Sequence, residues 1–262
     1  MLKYIFPLFV LLLTACSDTP TSDETSQEQK VIKSFPSEGE MDDRMAEIDS
    51  ITNAAELLAS SLTYSKSDGT SILVLGHLNP ENELLKIEER FSDGNGKTNG
   101  TRFYYLFKGK PFITHELIDQ MENNTAVFID RISYYDEKGK VLKTKERTAS
   151  FEDDVYQLPY KAAPIQGVTV DRAMRALNSE KEFTTTFQGL IYENGMTYLI
   201  VGENTNDDGF TSALRCDFKD PLIIQLTNLP DNYIGEKLKV TFQVEEDRGY
   251  RFQLYTGGDF AQ

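Results

Sequence analysis

Hydrophobic and polar residues alternate along much of the chain, and short polar clusters interrupt the alternation. A period of two residues is typical of strands that bury one face and expose the other. Asp136 to Gly139 forms the clearest turn between two such segments, because glycine adopts positive φ without strain. The first half therefore predicts an antiparallel meander. Its expected strands are residues 71–78, 84–91, 101–107, 111–118, 126–135 and 140–148.

Two short helices are predicted beside these strands. Met45, Ile48 and Leu58 lie on the apolar side of a helix over residues 41–61. Two prolines and a glycine in residues 158–167 indicate a linker, and a short helix follows it. We therefore expect three parts in the folded body: a helix and meander domain over residues 41–158, a linker with a short helix over residues 159–179, and a second β domain over residues 180–262.

The second domain again has the alternating pattern of strands. The stretch from Asp231 through Gly235 to Phe242, a tight turn followed by an alternating strand, resembles the late strand of small five-stranded barrels of the OB type. This resemblance implies an OB-like barrel, and a β-sandwich fits the same pattern. We expect a mainly β fold, an antiparallel meander followed by an OB-like barrel or sandwich. The expected strands of this domain are residues 183–192, 196–202, 212–218, 222–226, 237–245 and 250–255.

The chain begins with a short apolar segment that ends at a cysteine. Lys3 supplies a positive charge, residues 5–13 are apolar, and Leu13-Thr14-Ala15-Cys16 follows, which is the pattern of a signal peptide. The apolar stretch is much shorter than the roughly 20 residues that cross a bilayer as a helix. Its end resembles the lipobox of bacterial lipoproteins. The resemblance implies cleavage before Cys16 and lipid, including palmitate, on that cysteine; ordinary secretion is the alternative.

The residues after Cys16 are polar. Ser, Thr, Asp, Glu and Gln dominate residues 17–40, and such a segment buries too little apolar surface to fold. We interpret residues 1–15 as the signal peptide and residues 16–40 as a flexible lipidated tether. The expected location is the cell envelope, at the outer membrane on its periplasmic or its surface side, with the membrane contacted through the lipid on Cys16.

Charge and cysteine content narrow the possible partners. The chain has a net charge of −15, so phosphate backbones and anionic headgroups would repel it, and no nucleic-acid partner is expected. Of the two cysteines, lipid would occupy Cys16, which leaves Cys216 without a disulfide partner. An alternating run surrounds Cys216, so we interpret it as a small buried residue. No cofactor is predicted.

Catalytic motifs are absent from the sequence. The two histidines, His77 and His115, lie outside any His-x-x-x-His pair, and we interpret both as surface or strand-edge residues. There is no Gly-x-Ser-x-Gly elbow, phosphate-binding loop or dinucleotide fingerprint. The acidic runs 152–154 and 245–247 are interpreted as solvated. The sequence therefore leaves enzymatic activity uncertain and favours its absence.

One loop resembles the start of an EF-hand calcium site. Asn204, Asn206 and Asp208 supply oxygens at its first, third and fifth positions, and Gly209 occupies the sixth. The twelfth position is Arg215, where the motif needs glutamate, so a polar hairpin loop is the alternative.

A second short motif concerns modification. Asp49-Ser50-Ile51 resembles the acceptor of periplasmic O-glycosylation, which makes Ser50 a candidate site for a sugar. Three residues match often by chance, so an unmodified Ser50 is the alternative. Neither this motif nor the candidate calcium loop changes the expected function.

These features predict a lipid-anchored binding or interaction protein of the cell envelope, with a protein or glycan ligand. One alternative is an envelope hydrolase of glycan or peptide. Another is a periplasmic inhibitor or immunity protein whose acidic surface meets a basic partner. A binding module should expose a broad aromatic or apolar face, whereas an enzyme should have a cleft where ionisable side chains converge.

Overall fold

The structure is mainly β, which confirms the fold class that the alternating pattern predicts. The computed structural model describes residues 34–55, 57–203, 208–247 and 249–261. Within these residues, 14 strands belong to one sheet that is not closed into a barrel. The strands are β1 (Leu58–Ser60), β2 (Tyr64–Ser65), β3 (Thr70–Leu78), β4 (Leu84–Asp93), β5 (Thr98–Phe107), β6 (Lys110–Glu122), β7 (Thr125–Tyr135), β8 (Val141–Ala149), β9 (Lys161–Ala162), β10 (Phe187–Glu193), β11 (Met196–Gly202), β12 (Thr211–Cys216), β13 (Leu238–Asp247) and β14 (Tyr250–Phe260). The helices are α1 (Met41–Ala55), α2 (Glu152–Val155), α3 (Asp171–Leu177) and α4 (Pro221–Asn228), and short 3-10 helices cover Glu38–Glu40, Lys181–Phe183 and Pro230–Asn232.

The compact unit begins at Phe35, within the stretch that composition predicts as a tether. The Phe35 ring packs edge-on against Phe107 and Phe112, with ring centroids 6.0 and 6.5 Å apart. A reciprocal pair of hydrogen bonds between Ser37 and Glu40 then caps the 3-10 helix that leads into α1. Local capping and one aromatic side chain thus order the end of a segment whose composition is polar.

Strands β3 to β8 form an antiparallel meander in which each strand pairs with the next. Helix α1 covers one face of it and buries Ile48 against the sheet. The Tyr105 hydroxyl donates to both carboxylate oxygens of Asp49 at 3.1 Å, and the Tyr134 hydroxyl donates to Asp42 at 2.7 Å. Apolar contacts and tyrosine hydroxyls therefore hold α1 in one position on the sheet.

Helix α3 covers the opposite face of the meander. Ala173 and Ala176 are fully buried there in a core that includes Ile72 and Val74 of β3. The helix approaches the strand closely at Gly76, because a Cβ atom at that position would lie 3.0 Å from a methyl group of Leu177. Small residues on both elements thus allow the helix to pack directly on the strand. The same core continues into the C-terminal strands.

The five C-terminal strands lie in the order β10-β11-β12-β14-β13, and α4 lies in the connection from β12 to β13. Strand β12 pairs with β14 in parallel at Arg215 and Leu254. These connections are those of the OB type. The ring stays open, because within the described ranges β10 and β13 approach each other only near one bridge, between Thr186 and Lys237.

Residues 222–226 are helical, so the prediction of a strand there was wrong. Asp220 caps the helix by accepting a hydrogen bond from the Ile223 amide, and Pro221 occupies the first turn, where its missing N–H costs nothing. Leu222, Ile223 and Leu226 share the buried side of α4, and their spacing fits a helix as well as a short apolar strand.

Loss of the α4 cap should destabilise the protein. Asp220 also accepts a hydrogen bond from the hydroxyl of the fully buried Tyr255 at 2.7 Å. We expect Asp220→Ala to lower the free energy of unfolding by about 1–2 kcal/mol, because an amide and a buried hydroxyl both lose an acceptor. Urea denaturation measures this change. Asp231→Ala, in the exposed 3-10 helix nearby, is the control and should stay within error; equal effects of both variants would contradict the role of the cap.

Candidate functional site

The two histidines contact carboxylates on the face of the meander that α1 partly covers. His115 Nε2 lies 2.8 Å from Asp130 Oδ1, and its ring packs against Phe103 with centroids 5.9 Å apart. His77 Nε2 lies 3.5 Å from Glu88 Oε2. Both histidines are therefore partly enclosed and have an acidic neighbour, which the sequence pattern did not indicate.

Asp130 is the centre of a closed hydrogen-bond network rather than an open catalytic group. Its carboxylate is 1% exposed and accepts from His115, from the Tyr160 hydroxyl at 2.7 Å and from the Arg147 guanidinium at 2.7 and 2.9 Å. Burial raises the pKa of Asp130, but these hydrogen bonds outweigh burial and hold the pKa below its usual value. Arg147 also donates to the carbonyls of Tyr156 and Leu158, so the network fastens the segment after β8 to the sheet.

The opposite face of the meander carries a row of charges that alternate in sign. Glu89, Arg102, Glu116, Arg131 and Glu146 lie directly opposite one another on β4 to β8. We call this row the charge ladder. Its clearest contacts are Arg102 Nε to Glu116 Oε1 at 2.8 Å and Arg131 Nε to Glu146 Oε2 at 3.0 Å. Each buried carboxylate therefore has a cationic neighbour.

Glu89 ends the ladder and is fully buried. It accepts from the Tyr104 hydroxyl at 2.6 Å and from Arg172 Nε of α3 at 2.7 Å. Burial and the Glu89 carboxylate together raise the pKa of Tyr104, so the hydroxyl remains a donor. In the sequence Glu89 interrupts the alternation of β4. The cross-strand register explains it, because that register places Arg102 directly opposite Glu89.

Cys216 is buried on the inner side of β12 beside a cavity of about 300 Å³, which Met196, Thr197 and Phe218 also line. Burial raises the pKa of the thiol to about 11, so it is protonated at neutral pH and is a poor nucleophile. A second cavity of about 390 Å³ lies between β13 and the turn after α3. Both cavities are at the small end of ligand-binding pockets.

The candidate calcium and sugar positions are separate from these features. Asn204 and Asn206 lie outside the described residues, and Asp208 is exposed in a turn. In the described part of the chain, no three His, Cys, Asp or Glu side chains are grouped as metal ligands. Ser50 is exposed on α1, where a sugar would meet no steric obstacle from the core. Both candidates stay predictions.

The C-terminal strands expose apolar side chains where strands of a half-buried sheet usually carry polar ones. Ile191, Tyr198, Arg215 and Leu254 lie in one cross-strand row over β10, β11, β12 and β14. Ile191 is 51% exposed and the other three are half-buried, so the row is only partly covered by its neighbours. We call this row, together with Ile200 and Phe252 beside it, the outer face.

Arg215 shapes the centre of the outer face. Its guanidinium lies 3.8 Å from the centre of the Phe252 ring and donates to both oxygens of Asp217 at 2.7 and 2.8 Å. The charge is thus neutralised, while the flat guanidinium extends the aromatic surface. The border is acidic, with Glu193, Asp217 and the run Glu245 to Asp247 close to it. Such a surface suits a partner with apolar groups surrounded by positive charge.

The outer face was not predicted from the sequence. In β11 the run Tyr198 to Val201 is apolar at every position, so both faces of the strand are apolar. Leu199 and Val201 fill the core, whereas Tyr198 and Ile200 remain outside it. A continuous apolar run usually indicates a strand buried on both faces. Here it marks a strand with one face only partly covered.

No protein-family model, no curated protein and no solved structure matches this chain. Within the described ranges, no helix is long and apolar enough to span a membrane.

Removal of one ladder charge should lower the free energy of unfolding strongly at the buried end and weakly at the exposed end. We expect Glu89→Gln to lower the free energy of unfolding by about 3–5 kcal/mol, because Arg172 and Arg102 lose a buried counter-charge. Glu146→Gln, at the half-exposed end, should cost less than about 1 kcal/mol. Urea denaturation at neutral pH measures both. Similar losses for the two variants would show that the position along the ladder does not matter.

Proposed function

We propose that this protein is a lipid-anchored binding module of the bacterial cell envelope and that the outer face contacts its partner. The cross-strand row of Ile191, Tyr198, Arg215 and Leu254, in which Ile191 is exposed and the others are partly exposed, supports this proposal. Contiguous exposed apolar surface is uncommon on soluble proteins and often marks an interaction site. Aromatic and arginine side chains, which this row contains, are also the types that contribute most to binding energy.

The acidic border favours a basic protein or peptide as the partner. Residues 180–262 carry seven Lys or Arg and fourteen Asp or Glu, a net charge of −7. The guanidinium of Arg215 is already paired with Asp217. A glycan partner is less well supported, because the chain has no tryptophan to form a stacking platform. An inhibitor or immunity protein is a special case of the same proposal, since it too would meet a basic partner.

A hydrolase is less well supported by the geometry. The cavities of about 300 and 390 Å³ do not contain a histidine or a pair of carboxylates among their lining residues. The His115–Asp130 pair resembles part of a catalytic triad, but Tyr160 and Arg147 occupy the same carboxylate. That network already has a structural role, which favours binding over catalysis.

The first sixteen residues support the lipid anchor. The apolar stretch, Leu13-Thr14-Ala15-Cys16 and the polar segment after it have the order found in bacterial lipoproteins. Stable attachment needs more than one acyl chain, and a lipoprotein cysteine carries several. Under this proposal the folded unit lies beside a membrane without entering it, which suits a module that presents a binding face to envelope partners.

The outer face is tested by crosslinking in native membranes. We expect wild-type protein to recover a reproducible partner and the double variant Ile191→Ser/Tyr198→Ser to recover at least tenfold less, because the apolar centre of the contact is lost. Quantitative mass spectrometry measures the yield. Phe151→Ser, which removes a 70% exposed apolar side chain from the start of α2, is the matched control and should leave it unchanged. Equal yields for all three proteins, or no partner at all, would contradict the proposal.

The anchor is tested separately. Wild-type protein should partition into the detergent phase of a Triton X-114 separation and have an intact mass that includes a lipidated Cys16 at its N-terminus. Cys16→Ala should remain an uncleaved precursor, because the residue that accepts lipid is missing. Cys216→Ala is the control for loss of a thiol and should be lipidated normally. A wild-type protein cleaved elsewhere and without lipid would identify ordinary secretion instead.

A further inference from the structure

Strand β10 is at one end of the sheet, and most of its outer edge has no backbone partner. It pairs with β11 along its whole length. On its other side, the Phe187 amide donates to Glu236 and the Phe187 carbonyl accepts from Gly235. In the described part of the chain, these two contacts are the backbone hydrogen bonds that reach β10 from that side.

The hairpin geometry shows which groups of β10 face outward. Asn194 and Gly195 have φ values of 50° and 78°, the pattern of a two-residue turn with positive φ at both positions. Residues that flank such a turn exchange both hydrogen bonds, so Glu193 is bonded to Met196. Alternation along the strand then directs the N–H and C=O groups of Tyr192 and Leu190 away from β11. Residues 190–193 on this side are called the open edge.

The open edge lacks the features that usually protect a terminal strand. Such edges are commonly blocked by lysine, proline or a bulge. Strand β10 has neither lysine nor proline, and its bulge lies before the open edge, between Phe187 and Gly189. At the other end of the sheet, β8 carries Lys143 and Lys145, and β9 pairs with part of it.

Side chains around the open edge are apolar at the centre and acidic at both ends. Ile191 and Tyr192 are 51% and 59% exposed, and they point to opposite faces of the sheet. Ile234, beside Gly235, is 49% exposed. Glu193 and Glu236 are exposed, and neither takes part in a described ion pair. An extended peptide with alternating apolar and basic residues complements both the backbone groups and these charges.

We propose that the open edge of β10 binds an extended basic segment of a protein partner by adding it as a further strand of the sheet. This inference rests on the proposed function, because it specifies how a partner of the outer face is held. Main-chain hydrogen bonds to Tyr192 and Leu190 supply affinity, and contacts with the exposed side chains Ile191, Tyr192 and Glu193 supply selectivity. Ile191 belongs to both the outer face and the open edge, so one partner reaches both.

The test uses a seven-residue peptide of alternating lysine and valine with blocked ends, titrated calorimetrically into the full folded protein. We expect Tyr192→Pro to weaken binding at least fivefold relative to Tyr192→Ala. Both variants lose the aromatic ring, but only proline removes the outward N–H, and proline is tolerated at a free edge. Glu193→Gln/Glu236→Gln should also weaken binding and reduce its dependence on salt.

A second measurement is independent of whether the proline variant folds. The same peptide with alternate residues N-methylated should bind wild-type protein at least tenfold more weakly, because it offers no hydrogen-bonding edge. Equal binding of both peptides, equal binding to Tyr192→Pro and Tyr192→Ala, or failure of the unmethylated peptide to bind would overturn the inference. A protein dimer that Tyr192→Pro dissociates would also overturn it, since the occupant would be a second copy of the chain.

The two proposals fail in different ways. If Ile191→Ser/Tyr198→Ser abolishes recovery of the native partner while the peptide experiments show no edge pairing, the outer face stands and the added strand is wrong. If that double variant leaves recovery of the native partner unchanged, the proposed function is wrong whatever the peptide does. If the peptide still binds through the Tyr192 N–H in that case, β10 has an edge site, but no native partner for it has been demonstrated. The inference as stated would then be wrong together with the proposed function.

Discussion

Pairing of buried charges is the constraint on which the meander depends. Glu116 is 2% exposed, and a carboxylate this deeply buried is tolerated only beside opposite charges. A slip of β6 by two residues would place Thr114 or Ile118 opposite Arg102 in place of Glu116. It would thereby leave a carboxylate unpaired in the interior. Apolar alternation alone would also allow registers shifted by two residues. The charge ladder therefore fixes the register of these long strands.

The same constraint connects the meander to the C-terminal strands. Glu89 at the end of the ladder accepts a hydrogen bond from Arg172, so this carboxylate links β4 to α3, which packs on β3. The short chain after α3 then brings Phe183 against Tyr64, whose hydroxyl donates to the Phe183 carbonyl at 2.5 Å. Because β10 follows directly, the position of the outer face and of the open edge is set by contacts that begin in the meander.

Much of the fold could be predicted from the sequence, because a two-residue period reports a half-buried strand directly. The meander strands and the strand β13 after Gly235 follow from such local signals. Residues 222–226 were assigned to the wrong element, since five apolar-rich residues fit a helix or a strand until the cap at Asp220 is considered. The charge ladder and the Asp130 network could not be predicted, because both depend on cross-strand register, which no single segment encodes.

Two edges of the sheet, at β8 and β9 and at β10, show why the outer face and open edge are interpreted as functional rather than accidental. An exposed strand edge is an aggregation hazard, and the β8 end is blocked by lysines, by β9 and by the segment that Arg147 fastens. Among the residues that the structure describes, the β10 end has apolar side chains, backbone groups without a partner and carboxylates without ion pairs, although a single lysine would protect it. Protection of one end and not the other within one sheet is what a binding edge requires. It is also the reason that the face beside Ile191 is the place to look for a partner.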